Sequence, residues 1–232
     1  MANLRFAIYF VPAPDTALYR FGASVLGYDC YTGASVARMH ACELTEAAWT
    51  ALTAEPRTYG FHATLKAPFR LREGFAETDL LAQMQAAAAT LANIPTFEPA
   101  VELISDFVAV VPRDRTPALD RLAVQCVKTF DRFRAAITAD EKARRTAAGL
   151  SAPQAENLER WGYPYVLDEF RFHMTLTGRI APERRTTVHA LLREAFGRAC
   201  GFHPIALDRL ALVRQDFGGP FRVVGQVPLY AN

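Results

Sequence analysis

A four-residue pattern occurs twice in this chain, each time at the same place in a repeated order of elements. It reads HATL at residues 62–65 and HMTL at residues 173–176, and a Phe precedes both copies. Each copy is followed by a predicted helix and then by a similar strand sequence, DFVAVVPRD (106–114) or DRLALVRQD (208–216). The repeat of element order together with sequence predicts two related halves.

We therefore expect an α+β fold in one bilobal domain over residues 1–232, with lobes at about 1–115 and 116–232. Each lobe would be an antiparallel sheet with helices on its outer face, and a pseudo-twofold axis would relate the lobes across a central cleft. The composition is compatible with this fold, because 51% hydrophobic and 22% charged residues can form a sizeable core.

Hydrophobic periodicity and helix-capping signals predict the individual elements. Pro117 marks a helix start, and Thr78 is placed to cap another helix. An insertion at 138–164 would hold two short helices, opened by the capping boxes Thr138/Glu141 and Ser151/Gln154. The predicted strands are 4–11, 59–69, 100–111, 169–178, 204–214 and 221–229, and further helices are predicted at 45–54, 79–92 and 182–197.

Successive side chains of a strand point to opposite faces, so each motif would present a row of polar groups. In the first copy, His62, Thr64 and Lys66 would share one face, opposite the apolar Ala63 and Leu65. The second copy would show the same alternation, and its polar row is Arg171, His173, Thr175 and Thr177. Two facing lobes would bring both rows into one cleft.

Two imidazoles across a cleft are suited to acid–base chemistry near neutral pH. We expect His62 and His173 to be catalytic in attack on a phosphodiester, one as base and the other as acid, with the assignment open. The hydroxyls of Thr64 and Thr175 would donate to phosphoryl oxygens. No metal or cofactor is required if hydrogen bonds and a cation carry the developing charge.

Four further residues are candidates for substrate contact: Lys66, Arg171, Tyr9 and Tyr163. Lys66 and Arg171 lie on faces suited to phosphate contact, with a surface or ion-paired role as the alternative. The other three histidines, His40, His189 and His203, have no such partner. His189, in the helix after Pro182, and His203, at a turn, are interpreted as structural.

The cysteine spacing is typical of reduced thiols in the cytoplasm. Cys30, His40 and Cys42 could be imagined as metal ligands, but no second close pair completes a set of four, so packing is favoured. The apolar run Phe6–Val11 is too short for a signal sequence or a membrane span. We expect a soluble, cytoplasmic protein with no membrane partner.

At the two H-x-T motifs the sequence resembles the two-histidine (2H) phosphoesterase superfamily. Segments such as YGFHATLKAPFRL and WGYPYVLDEFRFHMTLTGRI are similar to a branch found with carbon–phosphorus lyase genes for phosphonate use. The resemblance implies a metal-independent cyclic phosphodiesterase or RNA-end-processing fold, with His62 and His173 catalytic and Thr64 and Thr175 binding phosphate. It also implies a substrate from phosphonate breakdown, for example a ribose cyclic phosphate.

Three functions remain open at this stage. The first is a phosphodiesterase acting on a small cyclic phosphate. The second is cyclic-phosphodiesterase or ligase chemistry at an RNA end, which the net charge of +2 disfavours, because a long RNA track requires a basic groove. The third is a non-catalytic module that binds phosphate or a nucleotide. The oligomeric state is open.

Overall fold

The computed structural model describes residues 4–39, 44–90, 94–147 and 149–229. The strands are β1 (Arg5–Phe10), β2 (Ala63–Phe69), β3 (Thr96–Phe97), β4 (Pro99–Ile104), β5 (Phe107–Pro112), β6 (Met174–Thr175), β7 (Ile205–Ala206), β8 (Arg209–Gln215) and β9 (Phe221–Pro228). The helices are α1 (Ala17–Leu26), α2 (Glu46–Arg57), α3 (Glu77–Thr90), α4 (Pro117–Phe130), α5 (Ala139–Thr146), α6 (Ala152–Trp161) and α7 (Arg185–Cys200).

Seven of these strands form one antiparallel sheet in the order β4-β5-β6-β2-β1-β8-β9, and β3 pairs separately with β7. The predicted α+β class with antiparallel strands is confirmed. The expectation of one sheet per lobe is not, because the short strand β6 pairs with β5 on one side and with β2 on the other. One sheet therefore runs through both halves of the chain.

The two repeated strand sequences occupy different positions in that sheet. β5 lies beside β6, the strand of the second motif, whereas β1 separates β8 from β2, the strand of the first motif. The similarity of 106–114 to 208–216 therefore does not mark equivalent sheet positions.

The main core lies on one face of the sheet and includes side chains of α1, α2, α3, α4 and α7. β1 is buried on both faces: Phe6, Ile8 and Phe10 point into this core, whereas Ala7 and Tyr9 point into a second cluster. α4 begins at Pro117 as predicted, and its apolar residues at helical spacing pack into the main core.

Three predicted strands differ from what forms. The predicted strand 204–214 is divided into β7, which pairs with β3 outside the main sheet, and β8. The predicted strand 100–111 is the hairpin β4–β5, whose turn contains Ser105 with a φ of 56°. Of the predicted strand 169–178, Met174–Thr175 is paired, and it follows a 3-10 turn at Leu167–Glu169 in which Leu167 has a φ of 54°. Such left-handed residues interrupt an extended chain, which a polar/apolar pattern does not reveal.

The helices follow their capping signals with two differences. Thr78 lies inside α3, and the Asp79 carboxylate accepts the Ala76 N–H near the helix start. α1 has no predicted counterpart, although Thr16 caps its first turn. Both helices of the insertion form as predicted: Thr138 caps α5, and Ser151 and Gln154 form the complete capping box of α6. None of the helices described here is both long and apolar enough to span a membrane.

Candidate functional site

The two motifs meet where β2 and β6 pair at the middle of the sheet. Ala63 lies opposite Met174, and both side chains are buried in the main core. Extending this antiparallel register by one residue in each direction puts His62 across from Thr175 and Thr64 across from His173. The half-buried imidazoles and hydroxyls thus alternate with the buried apolar set, as the sequence predicts.

The His62 ring is held at both nitrogens. Its Nδ1 lies 2.8 Å from the Gly60 carbonyl oxygen, and its Nε2 lies 3.1 Å from the Thr64 hydroxyl. A carbonyl can only accept, so Nδ1 carries the proton and donates it. In the neutral ring, Nε2 carries the basic lone pair, and this lone pair accepts the Thr64 hydroxyl proton.

His173 has the same local arrangement. Its Nδ1 donates to the carbonyl oxygen of Arg171, two residues upstream, over 2.8 Å. Its ring meets that of Phe107 edge-on, with the centroids 5.9 Å apart. Both motifs therefore fix Nδ1 by a carbonyl at position i−2 and leave Nε2 for chemistry.

Burial lowers the pKa of both imidazoles. That of His62 falls to about 4, because desolvation outweighs the Gly60 hydrogen bond and the nearby His173 ring adds repulsion. The pKa of His173 is lowered from 6.5 mainly by desolvation, with the Arg171 hydrogen bond opposing it. Both rings are accordingly neutral at pH 7.

Tyr9 packs against the His62 ring from β1, with the ring centroids 3.8 Å apart and the planes inclined by 21°. Its side chain is buried, so it contributes a covering surface for the imidazole. The pKa of Tyr9 is raised above 10 by burial and then by the neighbouring phenols of Tyr59 and Tyr163. The Tyr163 ring, from the insertion, packs edge-on against Tyr165 and beneath the Arg145 guanidinium, and it does not line the pocket at the two motifs.

A pocket of about 300 Å³ opens at the two motifs. It is lined by residues following α2, by both motifs, by the β4–β5 turn and by the segment after the second motif, among them Tyr59, His62, Asp106, Phe107, Thr175, Thr177 and Arg179.

Several of these lining residues were not predicted from the sequence. Arg179 follows the second motif at the same alternation, which could have indicated it. Thr177, which belongs to the predicted polar row, also lines the pocket, but it is buried and its hydroxyl accepts the Val108 N–H. Asp106 and Phe107 come from a turn distant in sequence, and no local signal points to them.

Lys66 does not join the polar row. Tyr9 pairs with Thr64, but Ile8 pairs with Lys66, so the register shifts by one residue between these pairs. The shift turns Lys66 toward the face of Ile8, which is the core face. There its ammonium donates to Asp131 over 2.7 Å and to the Val127 carbonyl over 3.3 Å.

Arg171 contributes its backbone to the site. Its exposed guanidinium donates to the carbonyls of Asp168 and Phe170, and its side chain borders a separate pocket together with Phe172. Its own carbonyl orients His173.

The remaining predictions concern histidines and cysteines. His189 donates its Nε2–H to the Val101 carbonyl over 2.8 Å, as a structural histidine does. Cys30 is buried in the second cluster, whereas His40 and Cys42 lie outside the described residues. Within the described ranges no three His, Cys, Asp or Glu residues are grouped to hold a metal ion.

A family described as "Protein of unknown function (DUF1045)" matches residues 64–222. The chain belongs to the DUF1045 family. The match begins at Thr64 and covers the rest of β2 from that residue, β6 and the whole of the second motif.

This DUF1045 chain is similar to two longer curated proteins, both named ribose 1,5-bisphosphate phosphokinase PhnN. The protein from Janthinobacterium sp. (strain Marseille) is 37% identical over 97% of this chain and 50% of its own length. The protein from Laribacter hongkongensis (strain HLHK9) is 34% identical over 76% of this chain and 40% of its own length. The chain thus spans about half the length of these relatives or less.

Among solved structures, the chain is similar to a conserved protein of unknown function from Agrobacterium tumefaciens str. C58. The identity is 13%, the TM-score is 0.46, and the alignment covers 97% of this chain and 85% of the other.

Proposed function

We propose that the chain is a metal-independent phosphodiesterase that hydrolyses a small cyclic phosphate, with His62 and His173 as its acid–base pair. The observation that carries the proposal is the pairing of Ala63 with Met174, which joins the two motif strands. Continued by one residue in each direction, this register sets each imidazole across from the hydroxyl of the other copy. A phosphorus atom bound on this face of the sheet, above β2 and β6, could then meet both rings and both hydroxyls. The resemblance of these motifs to the 2H phosphoesterases supports the same reading.

The mechanism assigns His62 as the base. Its Nε2 is unprotonated, and rotation of the Thr64 hydroxyl toward the bound phosphate frees the Nε2 lone pair to take a proton from water. As that water attacks phosphorus, a new P–O bond forms and the proton moves to His62 Nε2. Tyr9 and the Gly60 carbonyl hold the ring during the transfer.

His173 acts as the acid in the same step. In its protonated form Nδ1 still donates to the Arg171 carbonyl, and Nε2–H is free to protonate the leaving sugar oxygen as the ring P–O bond breaks. Binding of an anionic phosphate favours that protonated form. The product is an open phosphomonoester, and the two histidines end with their protonation states exchanged.

Hydroxyl groups stabilise the negative charge that develops on the phosphoryl oxygens. In the proposed step Thr175 donates to a non-bridging oxygen, and Thr64 does the same once its proton has turned away from His62 Nε2. Arg179 is the cation that lines the pocket beside them. Lys66 has no part in this step, because its ammonium is engaged by Asp131 in the core.

The relatives suggest the class of substrate. Both are named for a kinase acting on ribose 1,5-bisphosphate, and this chain matches about half of them or less. An activity on a phosphorylated ribose in phosphonate metabolism would fit beside such a kinase, and a ribose cyclic phosphate combines the sugar with the bond that two histidines can open.

The test is turnover of a panel of cyclic phosphates in the presence of EDTA, followed by ³¹P NMR. We expect ring opening of a sugar cyclic phosphate, with the activity reduced by at least about a thousandfold in His62→Ala and in His173→Ala. His189→Ala is the matched control, because that ring lies on α7 and bonds to Val101. A protein that binds these compounds without turnover would be a binding module, and cleavage of RNA cyclic ends alone would assign it to RNA.

A further inference from the structure

The lining of the site pocket carries carboxylates that the proposed chemistry does not use. Asp106 lies in the β4–β5 turn, and Glu55 lies in the last turn of α2. The pocket lining also contains one guanidinium, that of Arg179, whose Nε lies 3.8 Å from Oδ2 of Asp106. A pocket for a phosphate ester would be expected to carry a cationic excess, so this acidic balance requires a reason.

Asp106 is held in place relative to His173. Ile104 and Phe107 pair at the end of the hairpin, and the Asp106 carbonyl accepts the Ile180 N–H over 2.6 Å. The next residue, Phe107, contacts the His173 ring. The Asp106 side chain is 27% exposed, whereas Arg179 is 86% exposed, so the carboxylate is the more firmly placed of the pair.

Glu55 is tied to the same segment from another side. The Gly178 N–H donates to the Leu52 carbonyl of α2 over 2.7 Å, which joins the end of that helix to the chain after the second motif. A Cβ atom on Gly178 would lie 3.1 Å from that carbonyl oxygen and 3.9 Å from the Cβ of Glu55. Glu55 lines the pocket from this side, with its side chain exposed.

Carboxylates in a pocket accept hydrogen bonds from hydroxyl groups and repel phosphate groups. A pocket of about 300 Å³ with such a wall fits one sugar ring better than a polynucleotide, which would bring further phosphates against the carboxylates. We propose that Asp106 and Glu55 form a hydroxyl-binding subsite that selects a small sugar or polyol cyclic phosphate over an RNA end. This inference rests on the proposed phosphodiesterase function.

The experiment compares kcat/KM for three substrates: ribose 1,2-cyclic phosphate, the cyclic phosphate of propane-1,2-diol, and an RNA oligonucleotide with a 2',3'-cyclic end. The diol compound keeps the reacting ring and lacks free hydroxyls. Asp106→Asn and Glu55→Gln keep the side-chain shapes and remove the charges. Glu73→Gln, at an exposed position outside the pocket, is the control.

We expect the ratio of kcat/KM for the ribose over the diol substrate to fall about tenfold in each pocket variant, as for loss of a hydrogen bond to a charged group. Turnover of the RNA end should rise relative to ribose, and Glu73→Gln should leave all ratios unchanged. Unchanged ratios in the two pocket variants, or a wild-type preference for the RNA end, would overturn the subsite and leave the phosphodiesterase function standing. If no cyclic phosphate is turned over, the proposed function falls and the subsite with it.

Discussion

The phenol ring of Tyr9 covers one face of the His62 imidazole, with centroids 3.8 Å apart. The contact follows from sheet register, because Tyr9 on β1 lies opposite Thr64 on β2 and so shares the face of the motif's polar groups. Tyr9 is itself buried, and it excludes water from the ring whose pKa burial lowers to about 4.

Replacing Tyr9 should therefore change the titration of His62. In Tyr9→Leu the stacked surface is lost and water reaches the ring, so the pKa of His62 should rise toward 6.5. The cavity and the lost aromatic pair should lower the free energy of unfolding by roughly 2 kcal/mol. NMR titration of the imidazole measures the first effect and urea unfolding the second.

Tyr9→Phe is the matched variant, because it keeps the stacked ring and removes the hydroxyl alone. It should leave the pKa of His62 close to that of the wild type. An equal rise in both variants would mean that the phenol hydroxyl, rather than the stack, controls the imidazole.

The pH dependence of the reaction should be displaced to the acid side. Catalysis requires neutral His62 and protonated His173. Activity therefore falls as pH drops through the His62 pKa of about 4, and also as pH rises through the His173 pKa, which is lowered from 6.5.

We expect a bell-shaped profile of kcat/KM with its maximum below pH 6.5. The profile is best measured with a substrate whose phosphodiester does not titrate in this range. A rate that keeps rising above pH 8 would contradict the assignment of the acid.

Gly60 should be intolerant of a side chain. Its φ is 72°, and a Cβ atom there would lie 2.7 Å from the Cβ of Cys30. Gly60→Ala adds left-handed strain of about 1–2 kcal/mol and a clash, and it shifts the carbonyl that orients His62. Both stability and kcat should fall.

Gly74→Ala is the control that separates the backbone strain from the displacement of the carbonyl that orients His62. Gly74 has a φ of 87° with open space around it, so the substitution adds the strain alone and lies away from the site. It should lower the melting temperature without changing kcat. If Gly60→Ala lost stability and kept full kcat, the Gly60 carbonyl would not be positioning the imidazole.

Local features of this site can be predicted from the sequence, whereas features that depend on contacts between distant segments cannot. The alternation that sets His62 and Thr64 apart from Ala63 needs a few residues of strand, and it is confirmed by burial. The pairing of β6 with both β2 and β5, which makes one sheet from two predicted lobes, depends on contacts between distant segments. Asp106 reaches the pocket for the same nonlocal reason.

At Lys66, one extra residue in the strand reverses the face that strand alternation predicts. The two-residue period places it with His62 and Thr64, but the register shift between Tyr9/Thr64 and Ile8/Lys66 reverses its face. A bulge of this kind is fixed by the partner strand, and the motif sequence carries no sign of it.

The buried pair of Lys66 and Asp131 supplies a test of that reversal. Lys66 is 3% exposed, and burial lowers its pKa while the bond to Asp131 opposes the change. Although burial alone would raise the pKa of Asp131, hydrogen bonds from Arg134 and Lys66 hold it below its usual value.

Replacing Asp131 should lower the free energy of unfolding more than replacing Lys66. Asp131→Asn leaves the Lys66 ammonium buried with neutral acceptors alone, the Val127 carbonyl and the amide oxygen of the new side chain, and should destabilise the fold by about 3 kcal/mol. Lys66→Met keeps an apolar stem and leaves Asp131 paired with Arg134 at 2.8 Å, so its cost should be nearer 1 kcal/mol. Denaturant unfolding of the two variants gives the comparison.

Kinetics of Lys66→Met then decide between a structural and a substrate-binding lysine. Because the ammonium lies on the core face, the variant should keep the KM of the wild type for a cyclic phosphate at temperatures where it is folded. A phosphate ligand would behave differently: losing its charge would raise KM by about tenfold or more with little change in stability. A raised KM with little change in stability would place the Lys66 side chain in the polar row of the first motif and would contradict the register shift.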